Sequence, residues 1–134
     1  MTVNVSNSRM PKGEIVMGLI EIQAEFLQDV CTLVQIIKGN GFVVTGGELY
    51  RTRAQQERYF EMGLAKTMDS QHLKRLAIDL NFFKVDEEGK RHLTYEKGDL
   101  QKIGDYWESL NEYNQWGGNW ENFLDCGHFE RREG

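Results

Sequence analysis

Four side chains in two short segments have the types and the spacing to carry out metal-dependent hydrolysis. His72 and Asp79 lie in one segment, and in the other Asp125 precedes His128 by three positions. Imidazole nitrogens and carboxylate oxygens are ligands of catalytic zinc, which takes three protein ligands and keeps a fourth position for water. Two imidazoles and one carboxylate would supply those ligands, and the second carboxylate could act on the water as a general base. The four residues therefore predict a metal-dependent hydrolase.

Each of the four residues also has an ordinary explanation. Asp79 lies in an alternating segment, where a carboxylate on the solvent face of a strand is expected. His72 alone would be read as a surface residue or a hydrogen-bond partner, and Asp125 could cap a turn beside an unrelated His128. The joint occurrence of all four favours a shared site.

The remaining cysteine and histidine side chains are not expected to join this site. Cys31 falls in a helical apolar pattern, which predicts a small buried hydrophobic residue. Cys126 lies too close to His128 for a familiar zinc-knuckle spacing, and His92 has no partner in either segment. We expect His92 at the surface.

The elements that must position the site are short helices and strands. Apolar residues recur at steps of three and four from Leu19 to Ile37, which predicts an amphipathic helix ending near Gly39. The patterns further predict a strand at 42–45, helices at 53–64 and 99–112, a strand at 77–83 and its hairpin partner at 91–94.

Asp79 belongs to the predicted strand at 77–83, on the face opposite to Ile78, Leu80 and Phe82. The glycine-rich and aromatic tail at 116–130 predicts irregular turns with one or two short strands. Helices packed on a small antiparallel sheet, an α+β domain, is the predicted fold class.

Length and composition limit the classes of function. The chain has 134 residues, which is typical of one domain. A net charge of −5 argues against a general nucleic-acid surface, and no run of ~20 apolar residues predicts membrane insertion. Residues 1–16 are predicted to be a flexible N-terminal extension without the apolar run of a secretory signal, so we expect a cytoplasmic location. Met17 could alternatively be a translation start.

The order of these residues resembles the pattern of the peptidase M15 family, which includes zinc D-alanyl-D-alanine carboxypeptidases and phage L-alanyl-D-glutamate endolysins. That pattern is Ser-x-His, six residues and Asp, and later an acidic residue, two residues and His. It is matched here by Ser70, His72, Asp79, Asp125 and His128.

Two further segments extend the resemblance to about residues 19–130. Residues 50–52 with Gln55 and Gln56 resemble the arginine-containing loop of the family, and residues 116–118 resemble its stretch before the last histidine. Arg53 stands two positions from Arg51, and we expect only one of the two to point inward. Many members have glycine where this chain has Arg75.

The resemblance implies a role for each matched residue. His72, Asp79 and His128 would hold one Zn²⁺, and Asp125 would be the general base. Arg51 would bind or polarise the scissile carbonyl. The resemblance further assigns Ser70, Arg51 and Trp116 to substrate binding, whereas most large aromatic residues of the tail are expected in the core.

As a whole, the resemblance implies that residues 17–134 are a zinc peptidase domain of the Hedgehog/DD-peptidase-like single-domain type. The expected activity is cleavage of the peptide stem of bacterial peptidoglycan by a monomeric phage or prophage endolysin, which acts on the cell wall after release. Aspartate instead of glutamate as the base leans toward the endolysins. The alternatives are a D-alanyl-D-alanine carboxypeptidase or dipeptidase and a non-catalytic zinc-containing binding module.

Overall fold

The long strand β2 is the centre of the fold in the computed structural model, which describes residues 18–133. Among these residues the helices are α1 (Leu19–Gly39), α2 (Arg53–Glu61) and α3 (Lys97–Leu110). The strands are β1 (Val43–Gly46), β2 (Ala77–Val85), β3 (Arg91–Thr94), β4 (Asn114–Trp116) and β5 (His128–Arg131). Two short 3-10 turns span Gln71–Lys74 and Gly117–Asn119.

All pairings in the sheet are antiparallel, in the order β1-β2-β5-β4, with β3 also paired to β2. The first residues of β2 pair with β5, and its last residues pair with β3. Because β2 pairs with three strands, it joins the hairpin half of the sheet to the half that carries β5. The predicted α+β class, a small antiparallel sheet with helices packed on it in one domain, is confirmed.

The core lies between the sheet and the helices α1 and α3. In α1 the buried residues follow the predicted three-and-four spacing: Ile22, Phe26, Val30, Leu33 and Ile37. They pack with Leu80 and Phe82 of β2 and with the indole of Trp107 from α3. The predicted faces of β2 are therefore correct, since Leu80 and Phe82 are buried while Asp79 is half-buried.

The expectation for Cys31 is wrong, because its side chain is exposed. Consecutive helical residues are turned by about 100° from each other, so Cys31 points away from the core that the preceding Val30 contacts. His92 is exposed as expected and lies 2.8 Å from Asp86 across the β2–β3 hairpin. The predicted extension at 1–16 and the alternative start at Met17 lie outside the described residues.

The predicted helices differ from the observed ones only at their ends, since α2 stops at Glu61 and α3 spans Lys97–Leu110. In α2 the side chain of Thr52 accepts the N–H of Gln55 in a capping box, which fixes the first residue of that helix. None of the helices within residues 18–133 has the length and apolar character needed to cross a membrane.

Candidate active site

The pairing of β2 with β5 brings the first two site residues together. Asp79 lies directly opposite His128 in the register, so both side chains project from the same face of the sheet. Asp79 Oδ1 lies 3.2 Å from His128 Nδ1. Phe129, the next residue of β5, turns to the other face and is fully buried in the core. The strand alternation therefore separates the site from the core.

His72 reaches the same place from the first 3-10 turn. The Ser70 hydroxyl caps this turn by accepting the N–H of His72 at 3.2 Å. His72 Nδ1 lies 2.9 Å from the carbonyl oxygen of Leu49, which can only accept, so Nδ1 is the protonated nitrogen. In a neutral ring Nε2 then carries a lone pair, and it lies 3.3 Å from Asp79 Oδ1.

The three side chains fit a metal ion. Candidate ligand atoms of His72, Asp79 and His128 lie within 4.8 Å of one another. His72 Nε2 is buried and has no hydrogen-bond partner, and an unpaired buried polar atom is costly unless something binds it. A lone pair facing a carboxylate oxygen leaves room for a cation that would satisfy both, and two nitrogens with one oxygen suit zinc.

The charges at the site are strongly coupled when no metal is bound. Burial disfavours the ionised form of Asp79, but its contacts with His128 and His72 outweigh burial and hold the pKa of this carboxyl well below its ordinary value. Burial likewise disfavours the charged form of His128, yet hydrogen bonds to Asp79 and Glu130 raise its pKa to about 9. These contacts favour the protonated form of His128 in the metal-free protein.

Asp125 lies at the edge of the same cleft, in the loop that precedes β5. Its N–H donates to Gly117 O at 3.0 Å, and its own carbonyl accepts the N–H of His128 at 3.2 Å. Its carboxyl is half-buried, and burial raises its pKa above the ordinary value. It does not belong to the three-residue group of candidate ligands.

Arg51 faces the cleft with most of its donors already engaged. Glu48 accepts from Nε and Nη2, and Gln56 Oε1 accepts from Nη1 at 2.8 Å. A guanidinium has five N–H donors, so two remain for a substrate after these three contacts. The ring of Tyr59 lies 4.9 Å from the guanidinium carbon and supports it from the side. Arg53 is exposed at the start of α2.

The backbone connects Arg51 with the first candidate ligand. The N–H of Arg51 donates to the carbonyl of His72 at 3.2 Å, and the His72 ring binds the carbonyl of Leu49. These two bonds form a clip between residues 49–51 and His72. Residues 49–51 therefore set both the position of the Arg51 guanidinium and the orientation of the His72 imidazole.

The cleft around these residues has a volume of about 900 Å³. Most of its lining residues come from two segments, 64–72 and 119–125, and the three candidate ligands also line it. The Trp120 ring lies 5.0 Å from the His128 ring, and Lys66 lies 5.9 Å from the Phe123 ring across the opening. A cleft of this volume lies within the range of ligand-binding sites, ~300–1,000 Å³.

The assignment of Trp116 to substrate binding is wrong. Its ring is fully buried in the core and does not line the cleft. Its indole N–H donates to Cys126 O at 2.9 Å, so it holds the residue that follows Asp125 in the loop. Trp120, four residues later, is the tryptophan that lines the cleft. Ser70 also lines it, and its hydroxyl is engaged by the His72 backbone.

Arg75 ends the 3-10 turn in the left-handed region, with φ 57°. That conformation is normally left to glycine, which explains why glycine is common at this position in the family that the sequence resembles. The Arg75 guanidinium lies 4.0 Å from the Tyr50 ring centroid, a cation–π contact that offsets part of the strain.

Sequence reasoning missed Glu130, which touches a candidate ligand directly. Its Oε1 lies 2.8 Å from His128 Nε2, and its side chain is buried. The available signal was the spacing, because residues two apart in a strand share a face.

Comparisons with known proteins agree with this architecture. No curated protein matches the chain. The crystal structure of the Serratia marcescens L-Ala D-Glu endopeptidase ChiX has the same fold, with a TM-score of 0.60 at 17% sequence identity. The match covers 90% of this chain and 93% of that one. A model of peptidase family M15, described as D-alanyl-D-alanine carboxypeptidase, matches residues 64–131, half of the chain. That segment holds both histidines and both carboxylates of the site, and the chain therefore belongs to the M15 peptidases.

Proposed function

We propose that this protein is a zinc-dependent peptidase that cleaves the peptide stem of bacterial peptidoglycan. The observation that carries the proposal is the buried Nε2 of His72, which has no hydrogen-bond partner and lies with Asp79 and His128 in a cleft of about 900 Å³. Membership of the M15 peptidases supports the activity, and the fold shared with an L-Ala D-Glu endopeptidase supports the substrate class.

In this proposal His72, Asp79 and His128 hold one Zn²⁺. When bound, Zn²⁺ lowers the pKa of a coordinated water to ~7 and polarises a carbonyl group. Three protein ligands are the number found in catalytic zinc sites, whereas structural sites have four. Among the described residues Cys126 does not join the ligand group, which argues against a closed structural site and thus against a pure binding module.

Asp125 is the general base of the proposed reaction. Burial of its carboxyl raises the pKa above the ordinary value, which makes the ionised group a better proton acceptor than an exposed aspartate. After taking a proton from the attacking water, it can pass that proton to the leaving amine. A positioned base of this kind contributes about 10²–10⁴-fold to a rate.

Arg51 is the proposed electrophilic partner. Its two unoccupied N–H donors can hold a carbonyl oxygen of the substrate as negative charge develops there. Because Glu48 and Gln56 fix the guanidinium before substrate binds, little reorganisation is needed during the reaction. Glu48 also reduces the local positive charge, so the role of Arg51 is orientation as much as charge.

We further propose an L-alanyl-D-glutamate endopeptidase of the phage or prophage endolysin type. The shared fold with ChiX and the aspartate in the base position favour this bond. A D-alanyl-D-alanine carboxypeptidase is the second candidate, favoured by the description of the matching family model.

Product analysis on purified peptidoglycan tests the proposal. We expect metal-free protein to be inactive, and added Zn²⁺ to release fragments whose masses identify the bond that is cut. Loss of a terminal D-alanine alone would favour the carboxypeptidase instead. If the zinc-loaded protein releases no peptide or amino acid from peptidoglycan, the proposed function is wrong.

An isosteric variant tests the base. Asp125→Asn should bind zinc but lose at least about 10²-fold in kcat. The matched control is Asp105→Asn on the exposed side of α3, which should behave as wild type. Full activity in Asp125→Asn would exclude the mechanism.

A further inference from the structure

Glu130 is a buried carboxylate with a charged or ionisable partner at each oxygen. Its Oε1 lies 2.8 Å from His128 Nε2, and its Oε2 accepts from Arg132 Nε. Only 4% of the residue is exposed to solvent. A carboxylate is buried to this degree only when it is paired, and here the pairing extends from the surface at Arg132 to the floor of the cleft.

The contact between Glu130 and His128 follows from their positions in strand β5. His128 and Glu130 are two positions apart and share a face, while Phe129 between them turns into the core. In the register Asp79 lies opposite His128 and Ala77 lies opposite Glu130. The small side chain of Ala77 leaves the space beside the imidazole to the glutamate.

The contact with Glu130 determines which nitrogen of the His128 ring carries the proton. An ionised carboxylate can only accept a hydrogen bond, so His128 Nε2 must be the donor to Glu130. In the neutral ring the lone pair is then on Nδ1, the atom that lies 3.2 Å from Asp79. His72 shows the opposite assignment, because its Nδ1 donates to Leu49 O and its Nε2 is free. The two histidines thus use different nitrogens toward the same point.

We propose that Glu130 is a positioning residue that fixes the ring and the tautomer of His128, so that Nδ1 is the metal-binding atom. Arg132 holds the second oxygen of Glu130 and keeps the carboxylate from turning away. The inference rests on the proposed metal site, since it concerns how one ligand is presented to the ion. Outer partners of this kind typically contribute 10–100-fold to metal affinity.

Zinc affinity of purified variants tests this role without any peptidase assay. Glu130→Ala removes the acceptor, whereas Glu130→Gln keeps an oxygen that Nε2 can donate to. We expect the zinc Kd, measured by competition with a chromophoric chelator, to rise about 10–100-fold in Glu130→Ala. In Glu130→Gln the rise should stay under about tenfold, because the hydrogen bond survives without its charge.

The control removes the same kind of contact elsewhere. Asp86 lies 2.8 Å from His92 Nε2 on the exposed β2–β3 hairpin, and Asp86→Ala removes this acceptor as Glu130→Ala removes the other. This variant should leave the zinc Kd unchanged. Urea unfolding of each variant in chelator should show that the metal-free proteins are folded at the conditions of the titration.

A spectroscopic measurement separates positioning from a merely structural role. The ¹⁵N chemical shifts of the zinc-loaded wild type should identify His128 as protonated at Nε2 and bound through Nδ1. In Glu130→Ala we expect a mixture of tautomers. Glu130→Gln should restore the single form, which a general loss of packing would not do.

Three results would overturn the proposal. One is a zinc Kd in folded Glu130→Ala within twofold of wild type, and another is binding of wild-type His128 through Nε2. The third is wild-type protein that binds no zinc, which would remove the metal site as well. By contrast, a protein that binds zinc with the expected ratios but does not cut peptidoglycan would refute the proposed function and leave Glu130 in its role.

Discussion

Gly104→Ala in α3 should destabilise the fold although alanine is the better helix former. A Cβ at this position would lie 2.0 Å from Cε3 and 2.1 Å from Cδ2 of Trp116. Carbon atoms in contact are normally about 3.5–4.0 Å apart. The indole or the helix would therefore have to move by about 1.5 Å to restore an ordinary contact.

The Trp116 ring cannot move that distance freely. It is fully buried, its indole N–H is bonded to Cys126 O at 2.9 Å, and a Cβ on Gly118 would lie 2.2 Å from its Cζ2. Overpacking of a close-packed core costs about 1–3 kcal/mol, and this constrained ring favours the upper end. Exchange of glycine for alanine in a helix returns up to about 1 kcal/mol. We expect a net loss of about 2 kcal/mol.

Urea unfolding in the presence of chelator measures this loss without a contribution from metal binding. The matched control is Gly98→Ala in the same helix, where an added Cβ would meet no atom within 4 Å. That variant should gain up to about 1 kcal/mol, because only helix propensity changes. The two identical substitutions should thus move the free energy of unfolding in opposite directions.

A free energy of unfolding for Gly104→Ala equal to or above that of wild type would refute the reasoning. It would mean that α3 and the indole adjust without cost. If the loss occurs, the Asp125 loop should be affected too, since Trp116 holds the carbonyl of Cys126. We then expect kcat to fall further than zinc affinity, because a base misplaced by 1 Å can cost ~10²-fold.

Three further predictions concern the turn, the titration and the cleft. Arg75→Gly should be more stable than Arg75→Ala by about 1 kcal/mol in urea unfolding, because glycine adopts the positive φ without strain. Both variants lose the contact with Tyr50, so equal stability would show that the turn is unstrained. In metal-free protein the proton on His128 stabilises the fold fully below pH 6.5, and this contribution is lost as pH rises through about 9. The loss should be at most about 3 kcal/mol and absent from His128→Asn; a parallel pH profile in that variant would contradict it. Trp120→Ala should raise KM with little change in stability, whereas Trp116→Ala should lower the free energy of unfolding by about 3–5 kcal/mol. The reverse pattern in unfolding and kinetic assays would indicate that Trp116 contacts the substrate.

The sequence predicts the parts of this fold in which one face is apolar. The helix α1 shows its buried face as a three-and-four repeat, and β2 shows it as alternation, so both were located within a few residues. The strand β5 has no such signal, because all four of its residues, His128–Arg131, are buried. Charged side chains usually predict exposure. Here Arg131 is buried because Glu25 of α1 reaches its Nη2 at 2.7 Å, a pairing between residues far apart in the chain.

Part of the candidate site can likewise be predicted from local spacing, and part cannot. The spacing of Ser70, His72 and Asp79 is local, so sequence reasoning could group these residues before the structure showed them converging. The burial of Trp116 depends on Gly104 and Gly118, because an added Cβ at either position would lie within 2.2 Å of its indole ring. Composition gives no information about such an approach. The sequence alone therefore does not distinguish the buried Trp116 from Trp120, which lines the cleft.

The geometry of the candidate site is set by three contacts. The β2–β5 ladder places Asp79 against His128, and the bond of His72 to Leu49 O directs the other imidazole. The third is the contact of Glu130 with His128, within β5 itself. Because this contact joins two side chains, removing it should weaken metal binding while the backbone pairing of β2 with β5 remains. The backbone of Arg51 is bonded to that of His72, so a change at residues 49–51 should displace both the Arg51 guanidinium and the His72 imidazole. A change at Glu130 should leave Arg51 in place.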